Sequence, residues 1–341
     1  MADINISRLK KFNTNKFMFH VSDEKLTLGH IDFWIEEFLK SEIPFSILVR
    51  TEKSYKEAVK KYTNMQICYA KNPVDVETVV NAQPDLKMVL YSLNSSKNIH
   101  LLRFNHLTHI FIGSKNSEWL SQFNKSYRAY DEIWCGGEFV KDRIKEEIQN
   151  TGHLQFKIVG KPQLKDIFLS SEHSIKDGAF IYVDNDQLLI EKIYYANVVN
   201  NNNMFFLLND KNIKNDLKKA AKNNMLDKKI KIFEDKDLMG DFINKSDCII
   251  TDIKKLTPYL LAYDLPIIVY LEKEIDKYKI EPEILRNIIY YFNTKEELNE
   301  ILQKLKVNDV LKQERKKITN YFFNIEATKT NKFINLLKGG N

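Results

Sequence analysis

Three places in this chain carry residues whose types and spacing could do chemistry. Gly136-Gly137 follow the apolar run EIWC and open the helix-like segment EFVKDRI. Free amides at a helix N-terminus, approached closely through glycine, form a cradle for phosphate. The plainer reading is a tight turn, because no G-x-G-x-x-G or G-K-[ST] accompanies the pair. Asp247 and Asp252 bracket the strand-like CIIT, with Ser246 before it and Thr251 inside it. Polar side chains at the carboxyl end of a parallel strand face the crevice where α/β proteins bind ligands. The alternative is that Asp252 caps a helix starting at Ile253. His100, His106 and His109 cluster, but a strand begins near His109, so a shared metal face is not expected. No G-x-S-x-G elbow, H-E-x-x-H or Cys/His pair is present, which argues against a familiar hydrolase.

These residues need elements to hold them. Strand-length apolar runs occur at 17–21, 45–50, 88–92, 109–113, 132–135 and 156–160. After Pro162 they continue at 179–183, 204–208, 230–233, 248–251 and 267–271. Several are apolar at consecutive positions, as when helices cover both faces of a parallel sheet. Between them the period turns helical. Ile31, Trp34, Ile35, Phe38 and Leu39 share one face. Val140, Ile144 and Ile148 share another, in a helix that Gly152 is expected to end. Leu188, Leu189, Tyr195 and Val199 suggest a third. Alternation throughout means α/β with crossover connections.

The length of 341 residues suits about two domains of roughly 150 residues. Gly160-Lys161-Pro162 is the expected boundary, since proline cannot continue a central strand. The expected division is 1–161, 162–310, and a basic helical tail at 311–341, which either crosses back onto the first domain or lies on a membrane surface. Asn200–Asn203 reads as a loop without further message. The charges, 52 Lys+Arg against 46 Asp+Glu, are interleaved and sum to +6, so nucleic acid is not an expected partner. An anionic lipid surface or a polyphosphate polymer suits the same charge. Cys68, Cys135 and Cys248 fall in strand-like runs and are expected to be buried, reduced thiols. No run reaches the ~20 apolar residues of a span, and the N-terminus lacks a signal-peptide pattern. A cytoplasmic protein is expected, with the inner face of the membrane within reach of its basic tail.

The segment MVLYSLNSSKNIHLLRFNHLTHIFIG, then NKSYRAYDEIWCGGEFVKDRI and KIVGKPQL, resembles the CDP-glycerol glycerophosphotransferase family, whose members build teichoic acids and related capsule polymers. KSDCIITDIKKLTPYLLAYDLPIIVY is similar to that family's S-D-x-L-I-T-D-Y-S-S region. The resemblance runs from about Phe17 to Tyr270. It implies two Rossmann-like doubly wound domains facing a crevice, the glycosyltransferase-B type. The first domain would take a glycan or polyol-phosphate acceptor and the second a CDP-linked donor, without cofactor or metal.

Carried over by position, the resemblance implies donor contacts at Gly113, Lys161, Asp184, Asn185, Ser246, Asp247, Thr251, Asp252 and Lys254. It implies an acceptor or phosphate loop of Lys115, Ser117, Arg128, Gly136 and Gly137. Three motifs depart from the family. Its H-G-D-S-D-K loop is here Ser114-Lys115-Asn116-Ser117-Glu118-Trp119. Serine has no proton affinity near neutral pH and cannot replace the histidine as a base, which leaves Glu118 as the substitute, with Ser114 and Asn116 the other candidate catalytic residues of the loop. The opening turn of the second domain holds two carboxylates, Asp184 and Asp186, which would repel a pyrophosphate unless a cation intervened. Where the family has Tyr-Ser-Ser after T-D, this chain has Ile253-Lys254-Lys255, point charges in place of hydroxyls. An active transferase with a changed donor, and a pseudo-transferase that binds a partner enzyme, nucleotide or polymer, are both compatible with this pattern.

Overall fold

The structure, a computed structural model, describes residues 14–22, 25–114, 123–170, 178–184, 186–208, 210–224, 228–234, 239–273 and 283–339. The chain divides into two compact units. Unit 1 comprises Met1–Gln163 together with Tyr321–Asn341, and unit 2 comprises Leu164–Asn320.

Unit 1 is built on a seven-stranded sheet. Its strands are β1 (Phe17–Val21), β2 (Phe45–Val49), β3 (Ile67–Tyr69), β4 (Met88–Tyr91), β5 (Thr108–Phe111), β6 (Glu132–Cys135) and β7 (Gln155–Ile158), in the order β3-β2-β1-β4-β5-β6-β7. Every pairing is parallel, with Phe19 opposite Ile47 and Leu90, and His20 opposite Leu48 and Tyr91. All five residues of β1 are buried, because a strand in the middle of a doubly wound sheet is covered on both faces.

Unit 2 repeats the plan with six parallel strands. They are β8 (Ala179–Tyr182), β9 (Met204–Leu207), β10 (Ile230–Phe233), β11 (Cys248–Asp252), β12 (Ile267–Tyr270) and β13 (Ile289–Phe292), ordered β10-β9-β8-β11-β12-β13. The strand order reverses between β1 and β4 in one unit and between β8 and β11 in the other. At such switch points the crossover helices leave on opposite faces and a ligand crevice opens at the carboxyl ends.

β3 and β13 fall outside the strands expected from sequence. Both are edge strands. β3 is three residues long, and β13 mixes buried and exposed positions, so neither displays the continuous apolar run of a central strand.

Helix Thr27–Ser41 buries Ile31, Trp34 and Phe38 against β1 and β2, but Leu39 is exposed and Glu37 takes the buried place. Helix Glu138–Glu147 buries Val140 and Ile144, followed by buried Ile148. It ends before Gly152, and the chain turns at Asn150 (φ 60°) instead. Helix Gln187–Val199 faces the core with Leu189, Ile190, Ile193 and Tyr194, leaving Leu188, Tyr195 and Val199 exposed. The apolar residues expected on one face there are divided between two.

The Asn200–Asn203 tract is structural. The Asn200 side chain bonds Asn299 Oδ1 (2.7 Å) and accepts from Gln303 (2.6 Å), tying the end of one helix to helix Lys295–Val307. All three cysteines are buried and free, and burial pushes the Cys68 and Cys248 thiols up to about 12.

The tail forms helices Lys312–Phe323, Ile325–Lys329 and Lys332–Leu337. Phe333, Ile334 and Leu337 join the unit 1 core beside Trp34, Phe38 and Trp134, so the apolar face of the last helix is spent inside the protein. No helix of the described residues is long and apolar enough to cross a membrane.

Candidate functional site

At the unit 2 switch point, β8 and β11 run side by side, with Thr251 opposite Tyr182. Thr251 Oγ1 donates to the Tyr182 carbonyl (2.7 Å), which joins the two strand ends. Asp252, the last residue of β11, is buried and accepts three backbone N–H bonds. Asp184 N reaches Oδ2 (2.5 Å), while Lys254 N and Lys255 N reach Oδ1 (2.8 and 3.1 Å). The carboxylate therefore caps a turn, not a helix starting at Ile253, and that turn carries two lysines outward.

Both lysine side chains return to one acid. Lys255 Nζ lies 2.7 Å from Asp184 Oδ1 and Lys254 Nζ lies 3.1 Å from Oδ2. The hydrogen bonds from Lys255 and then Lys254 hold the Asp184 carboxyl below its usual range, and the same bonds raise both lysines. Lys255 also sits over the Tyr182 ring at 5.7 Å. Asp186 is engaged elsewhere, accepting from Leu189 N (3.1 Å) as the N-cap of helix Gln187–Val199. The two carboxylates expected to repel a pyrophosphate are thus already compensated, one by lysines and one by a helix terminus.

A further cation stands on the same edge. Lys192 donates to the Asn293 carbonyl (3.1 Å), just past β13, and lies over the Tyr270 ring at 5.1 Å. Sequence reasoning missed it because a lysine inside a helix gives no sign of which strand end it reaches. Ser246 and Asp247 are not part of this constellation. They precede β11 at the amino edge, and the five-residue strand separates them from Asp252 by roughly 16 Å at ~3.3 Å per residue. There Asp247 Oδ2 accepts from Gly178 N (3.0 Å) and Ser246 donates to the Phe242 carbonyl (2.8 Å). Asn185 lies outside the described residues.

In unit 1 the structure brings Gly113, Ser114 and Lys161 together at the carboxyl ends of β5 and β7. Gly113 (φ 71°) presents its carbonyl to Trp34 Nε1 at 2.9 Å. Lys161 is buried, with Nζ 3.4 Å from the Ser114 carbonyl and over the rings of Phe33 (5.2 Å) and Trp34 (5.8 Å). Its backbone N–H donates to Thr328 Oγ1 of the tail (2.8 Å). A cation is thereby fixed where the loop after β5 begins. Lys115, Asn116, Ser117 and Glu118 lie outside the described residues.

Two expected phosphate contacts are elsewhere. Arg128 belongs to the 3-10 turn Lys125–Ala129 that leads into the amino end of β6, and its carbonyl accepts from His153 (2.8 Å). Gly136-Gly137 do open a helix, but its approach is filled by the chain itself. A Cβ on Gly137 would meet Tyr321 O at 2.2 Å and Phe322 C at 2.6 Å. The glycine serves backbone packing against the tail, so the expected phosphate cradle is not open there.

The three clustered histidines face three different partners. His109 Nδ1 meets Tyr91 Oη (2.8 Å), His106 packs edge-on to Phe104, and His100 Nδ1 accepts from Arg50 (2.7 Å). Among the described residues no group of three His, Cys, Asp or Glu side chains is arranged to hold a metal ion. Arg50, which no local motif marks, is buried just past β2. It donates to the carbonyls of Ala70 (2.7 Å), Lys71 (3.2 Å) and Lys97 (3.2 Å), and its Nη1 lies 3.5 Å from His20 Nε2. One guanidinium thus joins the carboxyl ends of β1, β2 and β3 to the turn after β4.

Burial and then the Arg50 charge lower the pKa of His20 and His100, and burial lowers that of His109. Each is therefore harder to protonate in the fold than in the unfolded chain, where histidine titrates near ~6.5. The unfolded state then binds more protons, so stability is expected to fall as pH drops from about 7 to 5. Urea unfolding across that range checks this, and His20→Gln is expected to flatten the slope. A flat wild-type profile contradicts it.

No protein-family model matches the sequence, and no curated protein matches it. Solved structures do. A glycosyltransferase from Rickettsia africae is 14% identical over 97% of this chain and 100% of its own, with a TM-score of 0.52. The UDP-GlcNAc 2-epimerase of Neisseria meningitidis, solved bound to UDP-GlcNAc, is 11% identical over 95% and 100%, with a TM-score of 0.57. MurG of Acinetobacter baumannii is 12% identical over 95% and 99%, at 0.53. At such identities the likeness is one of fold, and the fold is the α/β pair of Rossmann-like parallel sheets of the glycosyltransferase-B type.

Proposed function

We propose that this chain is a transferase that moves a polyol-phosphate or sugar group from a nucleotide-activated donor to a glycan or teichoic-acid-like acceptor. Unit 2 would hold the donor's diphosphate and unit 1 the acceptor. The observation that carries this reading is the lysine pair Lys254 and Lys255 at the carboxyl end of β11, beside β8 at the switch point. Cations at that edge stabilise charge that develops on a departing phosphate. Lys192 adds a third cation at the carboxyl ends of the strands. That fold neighbours were solved with UDP-GlcNAc or UDP bound supports a nucleotide-linked donor, and the sequence motifs favour a CDP-linked one.

For glycerophosphate transfer, an acceptor hydroxyl oxygen would attack the distal phosphorus of the donor while the phosphoanhydride bond breaks and CMP leaves. The hydroxyl proton must go to a base. Ser114 cannot take it, so this reading assigns that role to Glu118. The test is CMP release from CDP-glycerol, and UDP release from UDP-sugars, in the presence of a polyol-phosphate acceptor. Replacing both lysines (Lys254→Gln with Lys255→Gln) is expected to lower kcat/KM by about 10²-fold. Turnover unaffected by the double change would sink the assignment.

A second reading has its own support. The loss of the family's histidine at Ser114 and the self-compensated Asp184 cluster suit a pseudo-transferase that binds nucleotide or polymer without turnover. Nucleotide binding without product, in a protein whose Glu118→Gln variant behaves identically, would favour it.

A further inference from the structure

At the unit 2 switch point the groups able to hold an anion are engaged by the chain's own carboxylates. Lys254 and Lys255 Nζ are on Asp184, and the Lys254 and Lys255 amides are on Asp252. Asp252 is buried and locked by three amides, so it is fixed framework. Asp184 differs. Its backbone N–H is pinned to Asp252, while its side chain is over a third exposed (37%) and meets one lysine that is largely exposed (76%) and another that is partly so (32%). Exposed ion pairs of this kind are weak and exchange readily.

We propose that Asp184 is an internal competitor for the donor's diphosphate: its carboxylate occupies the place on Lys254 and Lys255 that the phosphates take, and binding proceeds by exchange of one anion for the other. This deepens the reading of the site given above and rests on it. The exchange makes Asp184 a selectivity residue. With Asp184 between them, the lysines are half-neutralised. A single phosphate group, about −1.5 to −2 in charge near pH 7, gains only modestly by displacing the carboxylate. A diphosphate, with a second phosphate group and more charge, gains from both lysines at once. The site should therefore prefer inorganic pyrophosphate and nucleoside diphosphates over orthophosphate and nucleoside monophosphates, with Asp184 setting the margin.

The experiment is calorimetric titration of the full chain with inorganic pyrophosphate, orthophosphate, CDP and UDP, on wild type, Asp184→Asn, Asp184→Ser and the double lysine variant. Removing the acid is expected to tighten pyrophosphate about tenfold, the order that two exposed ion pairs supply, and to narrow the gap between pyrophosphate and orthophosphate. The double lysine variant is expected to bind neither. Two substitutions at Asp184, each checked by circular dichroism, keep a folding failure in one from deciding the matter. If wild type binds diphosphates and both Asp184 variants bind equally or more weakly, Asp184 is no competitor; this inference falls while the donor-site reading stands. If no protein in the set binds any diphosphate, both fall together.

Discussion

Phe333→Ala is expected to destabilise unit 1 by about 3–5 kcal/mol, the cost of emptying a buried phenylalanine site. Phe333 is fully buried. It stacks on Trp34 (4.9 Å between centroids) and meets Trp134 edge-on (5.4 Å), with Phe38 at 6.4 Å. Those partners come from helix Thr27–Ser41 and β6, so one ring from the end of the chain fills the space between a crossover helix and the sheet. The rings around it are large and mutually packed and cannot collapse into the void, which puts the cost toward the upper end. A domain is stable by only about 5–15 kcal/mol, so the loss should be visible as a large drop in the urea midpoint followed by tryptophan fluorescence. Lys332→Ala, at an exposed neighbour, is the control and should change stability by no more than about 0.5 kcal/mol. A Phe333→Ala loss below about 1 kcal/mol would mean that the tail is an accessory to the unit 1 core and not part of it.

Gly137→Ala is expected to be nearly as damaging, for the opposite reason. The residue is extended (φ −150°), a conformation open to any amino acid, so no backbone strain is involved. What a methyl group meets is backbone: Tyr321 O at 2.2 Å, Phe322 C at 2.6 Å and Phe322 O at 2.7 Å. Backbone within a helix cannot swing aside as a flexible side chain would, so the tail helix must shift bodily. Overpacking costs about 1–3 kcal/mol and occasionally more, and a clash against backbone belongs at the top of that range. The shift should also loosen the Tyr321–Asp142 hydrogen bond (3.0 Å) and the Phe139–Phe322 contact (4.3 Å). Gly152→Ala, where a Cβ meets nothing within 4 Å, is the matched comparison. If both variants melt alike, the close approach of the tail is not a determinant of stability.

Much of the fold was legible because parallel strands buried on both faces leave continuous apolar runs. Runs such as Phe17–Val21 and Glu132–Cys135 coincide with strands over their full length. Two edge strands were hidden, β3 because it is three residues long and β13 because it is only partly buried and mixes its pattern, while the edge strand β10 was still legible. The helix Gln187–Val199 misled because apolar residues lie on both sides of it, and only packing decides that Ile193 is inside and Tyr195 outside.

At the candidate site, sequence drew attention to Asp184, Thr251, Asp252 and Lys254, which the fold brings together. It also grouped Ser246 and Asp247 with them, although a strand separates its two ends by its own length. Gly136-Gly137 had the form of a phosphate cradle, and nothing local to that segment could reveal that residues 321–322 would fill it. Arg50 and Lys192 stayed invisible for a related reason. Their roles depend on carbonyls and rings from distant elements, and those partners are defined only once the sheets exist.

On the reading proposed above, the switch point of unit 2 binds a nucleotide diphosphate. The most direct test is calorimetric titration of the intact chain with CDP-glycerol, CDP and UDP, with and without Mg²⁺. Micromolar binding of at least one of them, lost when Lys254 and Lys255 are both changed to glutamine, is the predicted result. No detectable binding of any of the three, or binding that survives the double substitution, would contradict it.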